Sequence, residues 1–163
     1  SSSGIIIDVE NNSIIAEGLA MPHTPRIFNN ELYVLLSATG ELAKINTKDG
    51  SHDTIIKIDG FVRGMSLHND YLFIGISKLR KNSSTFGKLP FAEQANEAGI
   101  VIVHLPTRSI QGKITYLTSL DEIYDVHILA NKTRPNILNT ITEDYKKALM
   151  IPNTTFWQQE ETK

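Results

Sequence analysis

The sequence predicts an all-β fold of short antiparallel strands grouped in fours, and three observations lead there. The first is a recurrence at a step of forty: aligning Ser37 with Ser77 carries Asn29 onto Asn69, Asn30 onto Asp70, Leu32 onto Leu72 and His23 onto Arg63. Both copies, 26–37 and 66–77, read as an apolar strand, a polar turn containing Asn, and a second apolar strand ending in Ser. The second is an outer hairpin that occurs twice. Gly4–Val9 and Ile14–Gly18 flank the turn 10–13, and Gly99–Leu105 and Ile110–Leu117 flank the turn 106–109. The third is that the longest apolar runs, such as Ile5–Ile7 and Ile100–Val103, are only strand-sized. A stranded repeat of about forty residues is the signature of a propeller blade. The expected fold is therefore a β-propeller portion of four-stranded antiparallel blades, two complete and two partial, with a short C-terminal helix.

Taken in order, the opening hairpin corresponds to the outer two strands of a blade, so the chain is expected to start in mid-blade. The first complete blade spans about 22–59, with strands at Pro25–Phe28, Leu32–Ser37, Leu42–Asn46 and Thr54–Ile58, and with Gly40 and Lys48-Asp49-Gly50 marking its turns. The second spans Arg63–Leu117 and carries an insertion, Lys78–Ala98, that is too long for a hairpin turn. That insertion combines Lys78, Arg80, Lys81 and Lys88 with Phe86, Leu89 and Phe91. Long loops on a rigid scaffold often carry function, which makes Lys78, Arg80 and Phe86 candidates for a lid or a partner contact. The plainer reading is a solvated charged face. A third blade begins at Glu122–Leu129 and is expected to remain incomplete. Thr142 can cap a short helix through about Met150, with acidic residues in the first turn and Pro152 ending it. Residues 1–151 then form the partial propeller and 152–163 a tail in which Phe156 and Trp157 are the anchoring candidates. Two complete blades do not close a ring, and open sheet edges are avoided in natural proteins. The expected partners are an N-terminal half of the same propeller or a second copy of the chain.

Composition narrows the functional classes. The 16 basic and 18 acidic residues give a net charge of −2, which supplies no footprint for nucleic acid or an anionic membrane surface. No apolar run approaches the roughly 18 residues of a spanning helix. With no cysteine, disulfides and thiolate metal sites are excluded. Residues 1–4 have no positive n-region and do not read as a signal peptide, so the compartment stays open.

Several uncommon words occur in order: Gly18-Leu-Ala-Met-Pro-His-Thr-Pro-Arg26, Leu32–Leu42, Gly60-Phe-Val-Arg-Gly64, Asp70–Arg80, Phe86-Gly-Lys-Leu-Pro90, and Glu122-Ile-Tyr-Asp-Val126 continuing to Arg134-Pro135. In these the chain resembles an uncharacterised family of bacterial proteins, the DUF4915 family, over about residues 4–151. The resemblance implies a propeller-like domain of roughly twice this length, of which this chain is the C-terminal half. It implies no activity, cofactor or substrate. Glu97-Ala98-Gly99 stands where the family pattern leads one to expect a Cys, so a thiol role there is unsupported.

The candidate site follows from the repeat. In Met21-Pro-His-Thr-Pro-Arg26 the two prolines restrict the backbone around Thr24 and give His23 a defined direction. His23 and Arg63 are equivalents, and either Tyr124 or Asp125 is the third counterpart. Equivalent groups on successive blades would converge near the axis, so His23, Arg26, Arg63, Tyr124 and Asp125 are the ligand-binding candidates, with a small polar or anionic molecule as the ligand. The competing reading gives them structural hydrogen bonds between blades. Catalytic residues are not assigned, because Ser37 and Ser77 read as blade architecture and nothing else offers a nucleophile. No metal is expected, since His23, His68, His104 and His127 lack ligand spacing. Cofactors stay unknown. The expectation is a ligand- or protein-binding module, with a hydrolase or lyase using His23 and an Arg63 anion clamp as the alternative.

Overall fold

The computed structural model describes residues 3–79, 95–117, 120–133, 135, 139–151 and 154–157. It is all-β, with two four-stranded antiparallel sheets and two hairpins. The chain divides into two units, Ser1–Ile128 and Leu129–Lys163.

In the first unit, β1 (Gly4–Asp8) and β2 (Ser13–Leu19) form a hairpin. The first sheet is β3 (Pro22–Phe28), β4 (Glu31–Leu36), β5 (Glu41–Ile45) and β6 (His52–Lys57), paired in sequence order. The second is β7 (Phe61–His68), β8 (Tyr71–Ser77), β9 (Gly99–His104) and β10 (Ser109–Thr115), again in order. The turn between β3 and β4 is two asparagines, Asn29 and Asn30, at φ 51° and 63°. Positive φ at both central residues matches the right-handed twist of the flanking strands, and Asn tolerates it.

Successive side chains of a strand point to opposite faces, and β4 is apolar on both. Leu32, Val34 and Leu36 face one way and join Ile6, Ala16 and Leu19 of the hairpin, together with Ala43 and Ile45. Tyr33 and Leu35 face the other way, where Leu42, Ile55 and Ile58 meet Val62, Met65, Leu72, Ile74, Ile76, Val101 and Val103 of the second sheet. Burial on both faces stacks hairpin, first sheet and second sheet in layers. Each fully buried Leu, Ile or Val contributes about 1.5–3 kcal/mol, so β4 is where substitution is least tolerated.

The inner pairs of the two sheets share their register. Pro22 lies opposite Leu36 and His23 opposite Leu35, as Val62 lies opposite Ile76 and Arg63 opposite Gly75. An irregularity follows in both, between His23 and Arg26 and between Arg63 and Met65. Thr24 and Gly64, at φ 53° and 69°, mark those irregularities. A positive φ is costly for a β-branched residue. Here the Thr24 hydroxyl accepts a 3.1 Å hydrogen bond from the Gly64 amide, which helps hold the distorted backbone in place.

Two expectations are corrected. Glu122–Leu129 forms no strand. Residues 120–129 are irregular: the segment lies against β7 and β8 but is held through the Ser77 hydroxyl and the Lys78 amide, with no ladder to a neighbouring strand among the described residues. The C-terminal helix is absent. Asn139 rather than Thr142 gathers the amides, accepting from Ile141 and Thr142 through Oδ1, and only a five-residue 3-10 turn, Glu143–Lys147, follows. The backbone from Ala148 is taken into a ladder instead: β11 (Ala148–Ile151) pairs with β12 (Thr154–Trp157).

Gly64 is the tightest point of this architecture that a single substitution can test. A Cβ there would sit 2.4 Å from the Asp125 Cα, and the backbone is left-handed as well. Gly64→Ala is expected to lower stability by more than the about 1–3 kcal/mol of backbone strain alone. Urea unfolding of the variant checks this, and a loss under about 0.5 kcal/mol would contradict the close approach of Asp125.

Candidate functional site

The site lies where β7 begins, β8 ends, and the irregular segment 120–126 crosses them. A buried serine positions that segment. The Ser77 hydroxyl donates to the Ile123 carbonyl at 3.2 Å and accepts from the Ile123 amide at 2.8 Å, while the Lys78 amide donates to the Asp121 carbonyl at 2.8 Å. Ser37 does the same at the end of β4, donating to the Val62 carbonyl at 2.5 Å. Ile123 thus takes, relative to Ser77, the place that Val62 takes relative to Ser37.

Of the two candidates Tyr124 and Asp125, Tyr124 is the one brought to Arg63. The residue after Val62 is Arg63, and the residue after Ile123 is Tyr124. The two meet, with the Arg63 guanidinium carbon 4.5 Å from the centre of the Tyr124 ring. The Tyr124 hydroxyl donates to Glu122 Oε2 at 2.6 Å, two residues back along the chain. Around this stack is a cavity of about 180 Å³ lined by Phe61, Arg63, Ser77, Lys78, Leu79, Glu122 and Tyr124. Lys78, a loop candidate from the sequence, belongs to this cavity and bonds Asp121 at 2.7 Å. Arg80 and Phe86, with Lys81, Lys88, Leu89 and Phe91, lie outside the described residues.

The other candidates separate from this group. Arg26 Nη2 bonds Asp125 Oδ2 at 3.3 Å, with side chains 44% and 57% exposed, and Arg26 also donates to the Pro25 carbonyl. At that exposure the pair is worth about 0–1 kcal/mol and acts as a strap between β3 and the 120–126 segment. His23 is half-buried outside the cavity lining, its ring edge-on to Phe61 with centroids 6.4 Å apart. Burial lowers its pKa from the ordinary 6.5, and the positive charge of Arg63 adds to the effect. Both effects favour the uncharged imidazole.

Sequence reasoning missed Phe61, Leu79 and Glu122. Glu122 had a signal, the i, i+2 spacing to Tyr124. Leu79 and Phe61, in contact with Ala95 and Met21, had none, because their cluster depends on contacts distant in sequence. Among the described residues no group of three or more His, Asp or Glu side chains is placed to hold a metal, and no helix is long and apolar enough to cross a membrane. A larger, more open cavity, about 600 Å³, lies over the far ends of β4–β6 and includes none of the candidates.

The fold class is thus an all-β protein of antiparallel four-stranded sheets. Residues 1–138 match the family described as Domain of unknown function (DUF4915). The chain belongs to that family. A search of curated proteins gave no match.

The His23 pKa has a testable consequence. The folded pKa is lowered, so the unfolded chain binds more protons as pH falls below about 6.5, and the contribution of His23 is present above that value and lost as pH falls through the folded pKa. Only partly buried, His23 should produce a small effect. The expected result is a midpoint of thermal unfolding that declines between pH 7 and pH 5, with a shallower decline in His23→Gln. Identical slopes would show that His23 carries no linked proton.

Proposed function

We propose that residues 1–128 are two blades of a β-propeller with part of each flanking blade, and that the chain is a binding module for a small anionic or polar ligand held at Arg63. The observation that carries the ligand reading is the Arg63, Lys78 and Tyr124 cavity. It brings two cationic groups and an aromatic face together beside the start of an inner strand, with Phe61 and Leu79 supplying an apolar wall. Arginine presents a fork of donors suited to carboxylate or phosphate oxygens, and its stacking on Tyr124 orients that fork without consuming all five donors. The shared register of β3–β4 and β7–β8, and the Ser37 and Ser77 hydroxyls that each bind the following segment, support the blade reading.

The enzyme alternative draws on one observation, an imidazole at His23 biased toward its uncharged form and close enough to Arg63 to feel its charge. A hydrolase or lyase would use His23 as base and Arg63 as anion clamp. Anion binding without turnover would favour the module.

Calorimetric titration with inorganic phosphate and with succinate tests the ligand site. Arg63→Ala is expected to weaken binding at least tenfold while shifting the unfolding midpoint little. If Arg63 instead only bridges protein groups, stability falls by about 1–3 kcal/mol for each buried acceptor left unpaired, and binding of either anion is absent or unchanged.

A propeller ring closed by further polypeptide or by a second copy removes open edges. If a second copy closes it, light scattering on the chain alone gives a mass above 18.2 kDa. A monodisperse, well-folded species of that mass would count against closure by a second copy.

A further inference from the structure

We propose that the outer edge of β1 is a docking site for an extended apolar polypeptide strand from outside these 163 residues, laid antiparallel along Gly4–Asp8 as β8 is laid along β9. The inference rests on reading the β1–β2 hairpin as half of a four-stranded sheet, and it is independent of the Arg63 cavity.

Pairing register is the first support. In the hairpin Asp8 faces Ser13, Ile7 faces Ile14 and, after an irregularity, Ile6 faces Ala16. In the second sheet His104 faces Ser109, Val103 faces Ile110 and, after an irregularity at the same place, Ile102 faces Gly112. β1 therefore corresponds to β9. β9 is flanked on its other edge by β8, with His104 opposite Tyr71 and Val103 opposite Leu72. In the first sheet β5 is likewise flanked by β4. Among the described residues β1 has no ladder partner besides β2.

Burial is the second support. Ile7 corresponds to Val103, and Ile5, two residues earlier on the same face, to Val101. Val101 and Val103 are 3% and 0% exposed, in a core they share with Leu72 and Ile74 of β8 and with Tyr33, Leu35, Leu42, Ile55 and Ile58 from the first sheet, whereas Ile5 and Ile7 are 44% and 50% exposed. The opposite face of β1 is already closed, because Ile6 is buried with Leu32, Val34 and Leu36. The edge is thus presented in place by the first sheet, and its interface continues an existing core.

The two strands that occupy this position elsewhere define the occupant. Both β4 with Ser37 and β8 through Ser77 are apolar on both faces and end in a serine whose hydroxyl donates to the following segment. Val62, the target of Ser37, lies opposite Ile76, and Pro22 lies opposite Leu36. The Pro22 carbonyl is thus the counterpart acceptor for the incoming serine. A second copy offering its own β1 supplies five residues ending in Asp8 and no such serine.

The probe is a synthetic peptide with the sequence of residues 69–78, added to the full chain and followed by amide hydrogen exchange. Protection is expected over residues 5–8, and it should be lost with a peptide carrying proline at the position of Ile74, which cannot donate to a ladder. Ile5→Lys, at an exposed position that leaves the chain folded, should weaken peptide binding at least tenfold, and a peptide with alanine at the position of Ser77 should bind about fivefold more weakly, the worth of one net hydrogen bond. Protection spread equally over β6 and β10, or unaffected by Ile5→Lys, would overturn the proposal. So would protection of residues 5–8 that appears with rising chain concentration and no peptide, which would assign the edge to a second copy. Loss of phosphate binding with intact peptide binding would refute the cavity alone.

Discussion

A buried serine hydroxyl at the end of a strand, bonded to the backbone of the next element, governs how this chain is assembled. Ser37 reaches Val62 across the boundary between the two sheets, and Ser77 reaches both the amide and the carbonyl of Ile123. Each is almost fully buried, at 0% and 2% exposure. An unpaired hydroxyl or peptide group there would cost about 1–3 kcal/mol, so these bonds do more to specify placement than to add stability. The second serine, together with the Lys78 amide's bond to Asp121 and the Arg26–Asp125 pair, holds the irregular 120–126 segment with Tyr124 over Arg63. The site is a consequence of those anchors.

The same junction explains the backbone distortions beside it. Segment 120–126 runs so close to β7 that Gly64 has no room for a side chain, and Thr24 takes the left-handed conformation at the matching point of β3. The register is interrupted at both positions, turning the strand starts that carry His23 and Arg63. Irregularities of this kind recur where a strand must re-aim a side chain. Here the re-aimed residues are the candidate ligand groups.

Electrostatics at the site divides by exposure. The Arg26–Asp125 and Lys78–Asp121 pairs are open to water and contribute little to stability. Arg63 acts over a shorter range on two aromatic neighbours, stacking on Tyr124 and helping burial favour the uncharged form of His23. Toward the turns at the other end of the sheets, burial and a hydrogen bond to Glu31 push the Tyr33 hydroxyl up to about 12. That group stays protonated and serves as a fixed donor rather than as an acid or base.

Strand positions in the two sheets were legible in the sequence because alternation and turn chemistry are local. Asn29-Asn30 specifies a tight hairpin by itself, and the continuous apolar run Leu32–Leu36 announces a strand buried on both faces. The family was legible for a similar reason, since its uncommon words are contiguous. Tertiary structure decided the rest. That Tyr124 rather than Asp125 meets Arg63 depends on how Ser77 and Lys78 hold the segment at Ile123 and Asp121. Tyr124 went to Arg63 and Asp125 to Arg26, so one expected cluster became two. The segment after Thr142 carries the local marks of a helix start, yet a ladder with Thr154–Trp157 claims the backbone from Ala148 onward. Local propensity amounts to tenths of a kcal/mol per residue and yields to such a partner. Phe61, Leu79 and Lys78 came to one cavity only through contacts between segments distant in sequence, which no local pattern records.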